Sequence, residues 1–132
     1  MEKKLVATIS VLSVIILILG YIIFGSQSKK TAQIKIPSKN EIVFYYGATC
    51  PHCKDVEEWM NKNKIEEKIK IEKKEVWNNQ DNASELSKVA EVCGLDTSSI
   101  GVPFLWADGK CFIGTPEVIK ILSEKAIIKI NN

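Results

Sequence analysis

The chain has 132 residues, 45% hydrophobic and 26% charged, with a mean hydropathy of zero and a formal charge of +2. That length allows one small domain with an appendage and excludes a multidomain enzyme. Residues 1–40 hold six Lys and one acid, whereas 41–132 hold twelve Lys and fifteen acids, with no Arg anywhere. A mildly acidic domain without Arg lacks the basic footprint of a nucleic-acid binder.

Between Leu5 and Phe24, 16 of 20 residues are hydrophobic and none is charged. As a helix rising 1.5 Å per residue, this run is about 30 Å long, the thickness of a bilayer core. It is expected to be an uncleaved single-pass anchor. The alternatives are a secretory signal, which has an apolar run of roughly 7–15 residues, and a buried core helix. Ser26-Gln27-Ser28 loosely resembles a cleavage site, and no Cys near 20–30 offers a lipid attachment point. Lys29, Lys30, Lys35 and Lys39 come after the run, against Lys3 and Lys4 before it. That count favours a cytoplasmic C-terminal side, while a short basic start suits a signal-anchor that carries the downstream domain across the membrane. Residues 25–40 read as a polar tether. The expected organisation is a membrane helix within 1–24, a tether over 25–40 and a domain over 41–132.

Glu41–Tyr46 is rich in β-branched and aromatic residues and reads as a buried strand, broken by Gly47-Ala48-Thr49. A helix is expected from about Cys50 to Lys64, with Pro51 in its first turn and Cys53, Val56 and Met60 on one face. Lys68–Trp77 alternates as a second strand, Asn78–Asn82 is a polar loop, and Ala83–Cys93 is a helix stopped by Gly94. Pro103–Ala107 and Cys111–Gly114 flank Asp108-Gly109, a hairpin signal. Thr115 as N-cap and Pro116 open a last helix to about Ala126. The order β-α-β-α-β-β-α predicts an α+β, three-layer domain with a mixed central sheet covered by helices.

Cys50-Pro51-His52-Cys53 falls where the first strand gives way to a helix. The thiolate is the working form of Cys, and unpaired N–H groups at a helix N-terminus stabilise it. Cys50 therefore has the place favoured for a lowered pKa and for exposure. Cys53, one turn further in, is set to bridge to it and to be buried. His52 between them is expected to offer a donor or positive charge to the thiolate. A zinc site is the poorer alternative, because Cys93 and Cys111 are too far apart for a second knuckle. Haem attachment needs His directly after the second Cys, where Lys54 stands. An inert bridge is the remaining alternative.

F-Y-Y-G-A-T-C-P-H-C-K, with G-V-P-F-L fifty residues on, resembles the thioredoxin superfamily over residues 41–126. C-P-H-C is similar to the motif of bacterial disulfide oxidases of the Dsb type. The short spacing to Val102-Pro103 is closer to glutaredoxin-sized domains. The resemblance implies a thioredoxin-like fold and a cis bond before Pro103, which would face Cys50 and Cys53. It also implies that the Val102 backbone pairs with a substrate strand, with Tyr46, Gly47, Thr49 and Phe104 lining the same groove. The buried acid that thioredoxins carry on the first strand is replaced here by Phe44. Glu75 is the nearest substitute as a proton relay, although an exposed strand-end Glu is the plainer reading.

Cys93 and Cys111 are expected at the end of the domain opposite Cys50, either bridged or as two separate buried thiols. Trp59, Trp77 and Trp106 read as core or sheet-surface packing. Together these features point to a protein thiol–disulfide oxidoreductase, an oxidase or isomerase outside the cytoplasm. It would use no cofactor and no metal. Its partners would be protein thiols and disulfides and a membrane or soluble redox partner, with residues 5–24 holding it in the cell membrane. The alternatives are a tethered reductase and a module binding a soft metal such as Cu(I) for delivery.

Overall fold

The computed structural model describes residues 8, 12–21 and 34–130, and the chain divides into units over Met1–Ala32 and Gln33–Asn132. Residues 12–21 are helical. The apolar run expected to span a membrane continues on both sides beyond them, outside the described residues. Among the described residues, no helix is long and apolar enough to cross a membrane.

The second unit is built on a four-stranded sheet: β1 (Val43–Tyr46), β2 (Glu72–Glu75), β3 (Phe104–Ala107) and β4 (Lys110–Ile113). Their order is β2-β1-β3-β4. β2 runs parallel to β1, while β1 with β3 and β3 with β4 are antiparallel. Alternation along the two central strands divides the core between two faces. Phe44, Leu105 and Ala107 pack under helices α1 (Pro51–Lys62), α2 (Ile65–Lys68) and α4 (Thr115–Ile130). Val43, Tyr45, Phe104 and Trp106 pack with Leu86, Val89 and Ala90 of α3 (Gln80–Val92) on the other face. This is the expected three-layer α+β domain with a mixed central sheet.

Edge strand β2 reads Glu-Lys-Lys-Glu, and its charges are matched on both faces. Lys73 lies 3.6 Å from Glu57 of α1 and 3.4 Å from Glu66 of α2. Lys74 lies 2.7 Å from Glu85 of α3, whose Oε1 also accepts the Tyr45 hydroxyl at 2.7 Å. Burial and this carboxylate both push the Tyr45 phenol upward, so it stays a donor. A charged edge resists pairing with a second sheet.

Several element boundaries differ from expectation. The chain turns after α1 through Lys64 at φ 51°, and Ile65–Lys68 makes a helical turn that buries Ile65 and Ile69. The alternating pattern from Lys68 therefore belongs partly to a helix, and the strand is only four residues. α3 starts at Gln80, not Ala83. The Asn79 side chain accepts the N–H groups of Asp81 and Asn82, both at 3.1 Å, so the polar stretch read as loop is a cap and a first turn. Thr115 is the first residue of α4 and not its N-cap, and that helix continues past Ala126 to Ile130.

The remaining ends agree with the sequence signals. Gly94, at φ 70°, closes α3: its N–H reaches Glu91 O at 3.0 Å and that of Leu95 reaches Ala90 O at 3.0 Å. Asp108 and Gly109, both at positive φ, form the two-residue hairpin loop. Cys93 and Cys111 are disulfide-bonded, with Cα atoms 6.2 Å apart, joining the end of α3 to β4.

Candidate active site

Cys50 stands at the hinge between β1 and α1. The N–H of Cys50 donates to Gly47 O at 3.1 Å, closing the turn that lifts the chain off the strand. Cys50 is the N-cap, with extended backbone (φ −74°, ψ 115°), and its Sγ accepts the Cys53 N–H at 3.3 Å. Pro51 occupies the first turn, where its missing N–H costs nothing, and no acid lies in that turn to compete for the positive helix end. On its other side Cys50 Sγ donates to Val102 O at 3.6 Å, and the Val102–Pro103 bond is cis, as the resemblance implied. The sulfur thus meets an N–H suited to a thiolate and a carbonyl suited to a thiol.

Both cysteines are free and both are buried, Cys53 at 1% exposure and Cys50 at 5%. The exposure expected of Cys50 is not found, because it packs into the core face under α1. Burial, then the hydrogen bond with Cys50, pushes the Cys53 thiol up to about 12 against a lowering contact from Gly47.

An open groove of about 420 Å³ runs beside Val102 and Pro103 between the starts of α1 and α4, lined also by His52, Asp55, Gly114, Thr115 and Pro116. His52 is on this rim rather than on the sulfur. Its Nδ1 lies 3.8 Å from Asp55 Oδ2, with the side chain 76% exposed. The ring turns to the carboxylate one helical turn along, which corrects the expected contact with the thiolate. Thr115 Oγ1 donates to His52 O at 3.1 Å and ties the two helix starts together. Asp55, Gly114, Thr115 and Pro116 were not foreseen as groove residues. Gly114, Thr115 and Pro116 are brought here by the return of β4, which only the full topology reveals, while Asp55 sits on α1 three residues after His52.

Of the other residues expected to line the groove, Thr49 is exposed. Phe104 is fully buried on the α3 face, edge-on to Tyr45 with ring centroids 5.9 Å apart. Strand alternation sends it away from the groove. Tyr46 is half-buried and stacks on Phe44 at 5.9 Å on the opposite face. Gly47 is buried beneath Trp77, where an added Cβ would lie 2.2 Å from the indole Cε2. Gly47→Ala is expected to destabilise the fold by about 1–3 kcal/mol, measured by urea unfolding, and by less than about 1 kcal/mol in a Trp77→Ala background.

Glu75 accepts backbone N–H groups from Trp77 at 2.7 Å, Asn78 at 2.8 Å and Ala48 at 3.1 Å. Desolvation raises its pKa, but these amides outweigh that and hold the carboxyl below the ordinary carboxylate range. It clamps together the loops after β1 and β2. A depressed pKa stabilises the fold above the ordinary value of 4.5, and that contribution is lost as pH falls through the folded pKa. Glu75→Gln should therefore melt earlier than the wild-type chain at pH 7 and lose less stability on acidification, as melting curves across pH will show.

No protein-family model matches the sequence, and no curated protein matches it. Among solved structures, the chain is similar to the glutaredoxin–glutathione complex of buckwheat, at 17% identity and a TM-score of 0.49, covering 70% of this chain and 77% of that one. It is also similar to the holo form of glutaredoxin C1 from Populus tremula x tremuloides (18% identity, TM-score 0.47, 69% and 82% covered). A third is oxidised glutaredoxin 2 from Chlamydomonas reinhardtii (21% identity, TM-score 0.46, 68% and 78% covered).

Proposed function

We propose that this chain is a thiol–disulfide oxidoreductase that acts on protein cysteines through Cys50 and Cys53, as an oxidase or isomerase outside the cytoplasm, held to the membrane by residues 5–24. The observation that carries the reading is the setting of one sulfur. Cys50 Sγ caps a helix, takes the Cys53 N–H at 3.3 Å and lies 3.6 Å from the carbonyl of a cis X–Pro bond. When the pair is reduced, the Cys50 thiolate attacks a substrate disulfide, forming a mixed disulfide and releasing one substrate thiol. The Cys53 thiol then loses its proton and attacks Cys50 Sγ, releasing the second thiol and leaving the Cys50–Cys53 disulfide. Oxidation of a substrate dithiol is the same sequence reversed, with two electrons passing to the pair.

The Cys93–Cys111 bridge supports an oxidising compartment, because cytoplasmic thiols are kept reduced. It thereby favours the signal-anchor orientation over the one suggested by the lysine count. The test is a redox titration of Cys50–Cys53 in the full-length chain, joined to thiol labelling from outside intact cells. The expected midpoint is well above roughly −270 mV, the thioredoxin value. A midpoint near that value would make the protein a reductase, and labelling of Cys50 only after lysis would place the domain inside.

A further inference from the structure

Three loops meet at the end of the sheet that carries Cys50. The sheet order sets their lateral sequence: residues 76–79 come after β2, residues 47–50 come after β1, and Val102–Pro103 lead into β3. Trp77 lies on the side of the Cys50 turn away from Val102. Trp106 is buried and Trp59 packs against the helical face of the core, whereas Trp77 is 54% exposed. One part of its indole rests on the backbone of Gly47, whose carbonyl accepts the Cys50 N–H. The Trp77 N–H donates to Glu75 Oε1, which also takes the Ala48 N–H. The indole is therefore fixed relative to the reactive turn while half its surface stays open. An ordered, open aromatic offers contact area at little entropic cost to whatever covers it.

Resting on the disulfide-exchange reading above, we propose that Trp77 is a specificity-determining contact that selects substrate polypeptides with an aliphatic or aromatic side chain close to the reacting cysteine. Neighbouring strands are about 4.8 Å apart, and an extended chain advances about 3.4 Å per residue. A substrate whose cysteine meets Cys50 and whose one flank pairs with Val102 carries its other flank toward β2. The residue one or two positions along that flank lies over the indole. The polar neighbours on this loop, Asn78 and Asn79, are uncharged, so the platform discriminates by apolar area.

The test uses disulfide-linked homodimers of short peptides, identical except for Leu or Ser at the positions flanking the single cysteine. The reduced full-length chain converts each dimer to two peptide thiols and itself becomes the Cys50–Cys53 disulfide, so the released thiols report the rate. The wild-type chain is expected to favour the Leu peptide by about tenfold. Trp77→Ala should bring the Leu-to-Ser ratio close to one, and Trp77→Phe should restore most of it. The proposal is overturned if the ratio survives in Trp77→Ala. It is equally overturned if the rates for both peptides and for bis(2-hydroxyethyl) disulfide fall by one common factor, which would make Trp77 a support for the loop alone. Failure of the wild-type chain to react even with bis(2-hydroxyethyl) disulfide would instead bring down the redox reading itself, and this proposal with it.

Discussion

Cys53→Ala is expected to accumulate mixed disulfides with substrate proteins through Cys50, and Cys50→Ser to lose disulfide exchange by about a thousandfold or more. The asymmetry arises from where the two sulfurs sit. Cys50 caps α1 and accepts the Cys53 N–H, whereas Cys53 is buried in the first turn with its thiol pushed up to about 12. On the proposed reading Cys50, whose Sγ takes the Cys53 N–H and reaches the Val102 carbonyl, starts the reaction. Cys53 becomes a nucleophile after Cys50 is tied up in the mixed disulfide and their mutual hydrogen bond is gone. Removing Cys53 leaves the first step intact and deletes the second. Non-reducing electrophoresis and then mass spectrometry of the adducts will locate the linkage. A linkage at Cys111 would overturn the site assignment, since that residue lies at the other end of β4 and is bridged to Cys93.

Much of the fold and the placement of Cys50 and Cys53 at the start of α1 was legible because local and global signals agree. The apolar β1 segment, Pro51 after Cys50, the Asp108-Gly109 hairpin and Gly94 after α3 each specify their own geometry within a few residues. Three kinds of feature escaped. The alternation of Lys68, Ile69, Lys70 and Ile71 imitates the start of a strand, but Lys68 closes the helical turn Ile65–Lys68, Ile69 packs into the helical face of the core, and the strand itself begins only at Glu72. The orientation of His52 depends on Asp55, a competition between neighbours that no spacing rule expresses. The role of Glu75 depends on two loops converging at the parallel β1–β2 edge, where three backbone N–H groups need an acceptor. The groove around Val102 likewise requires the start of α4 to arrive beside His52. The position of the Cys50–Cys53 pair was local information, and the surface around it is tertiary.

The second large effect lies away from the site. Replacing Cys93 and Cys111 together by Ala is expected to cost about 3 kcal/mol of stability, since the bridge closes a loop across 18 residues of sequence. For a domain of this size that lowers the melting midpoint by roughly 12–24 °C. Treating the wild-type chain with enough reductant to open the bridge should reproduce the shift, and the double variant should not respond to it. An unchanged midpoint would show that the bridge does not restrict the unfolded chain. The closed loop contains Gly94, residues 95–101 and the Val102–Pro103 segment, so the bridge also limits how far the carbonyl facing Cys50 can stray. The N–H facing Cys50 comes from its own helix and does not depend on the bridge. Exchange at Cys50 should therefore persist in the double variant below its melting point. A domain that owes this much stability to a disulfide holds its fold best where thiols stay oxidised.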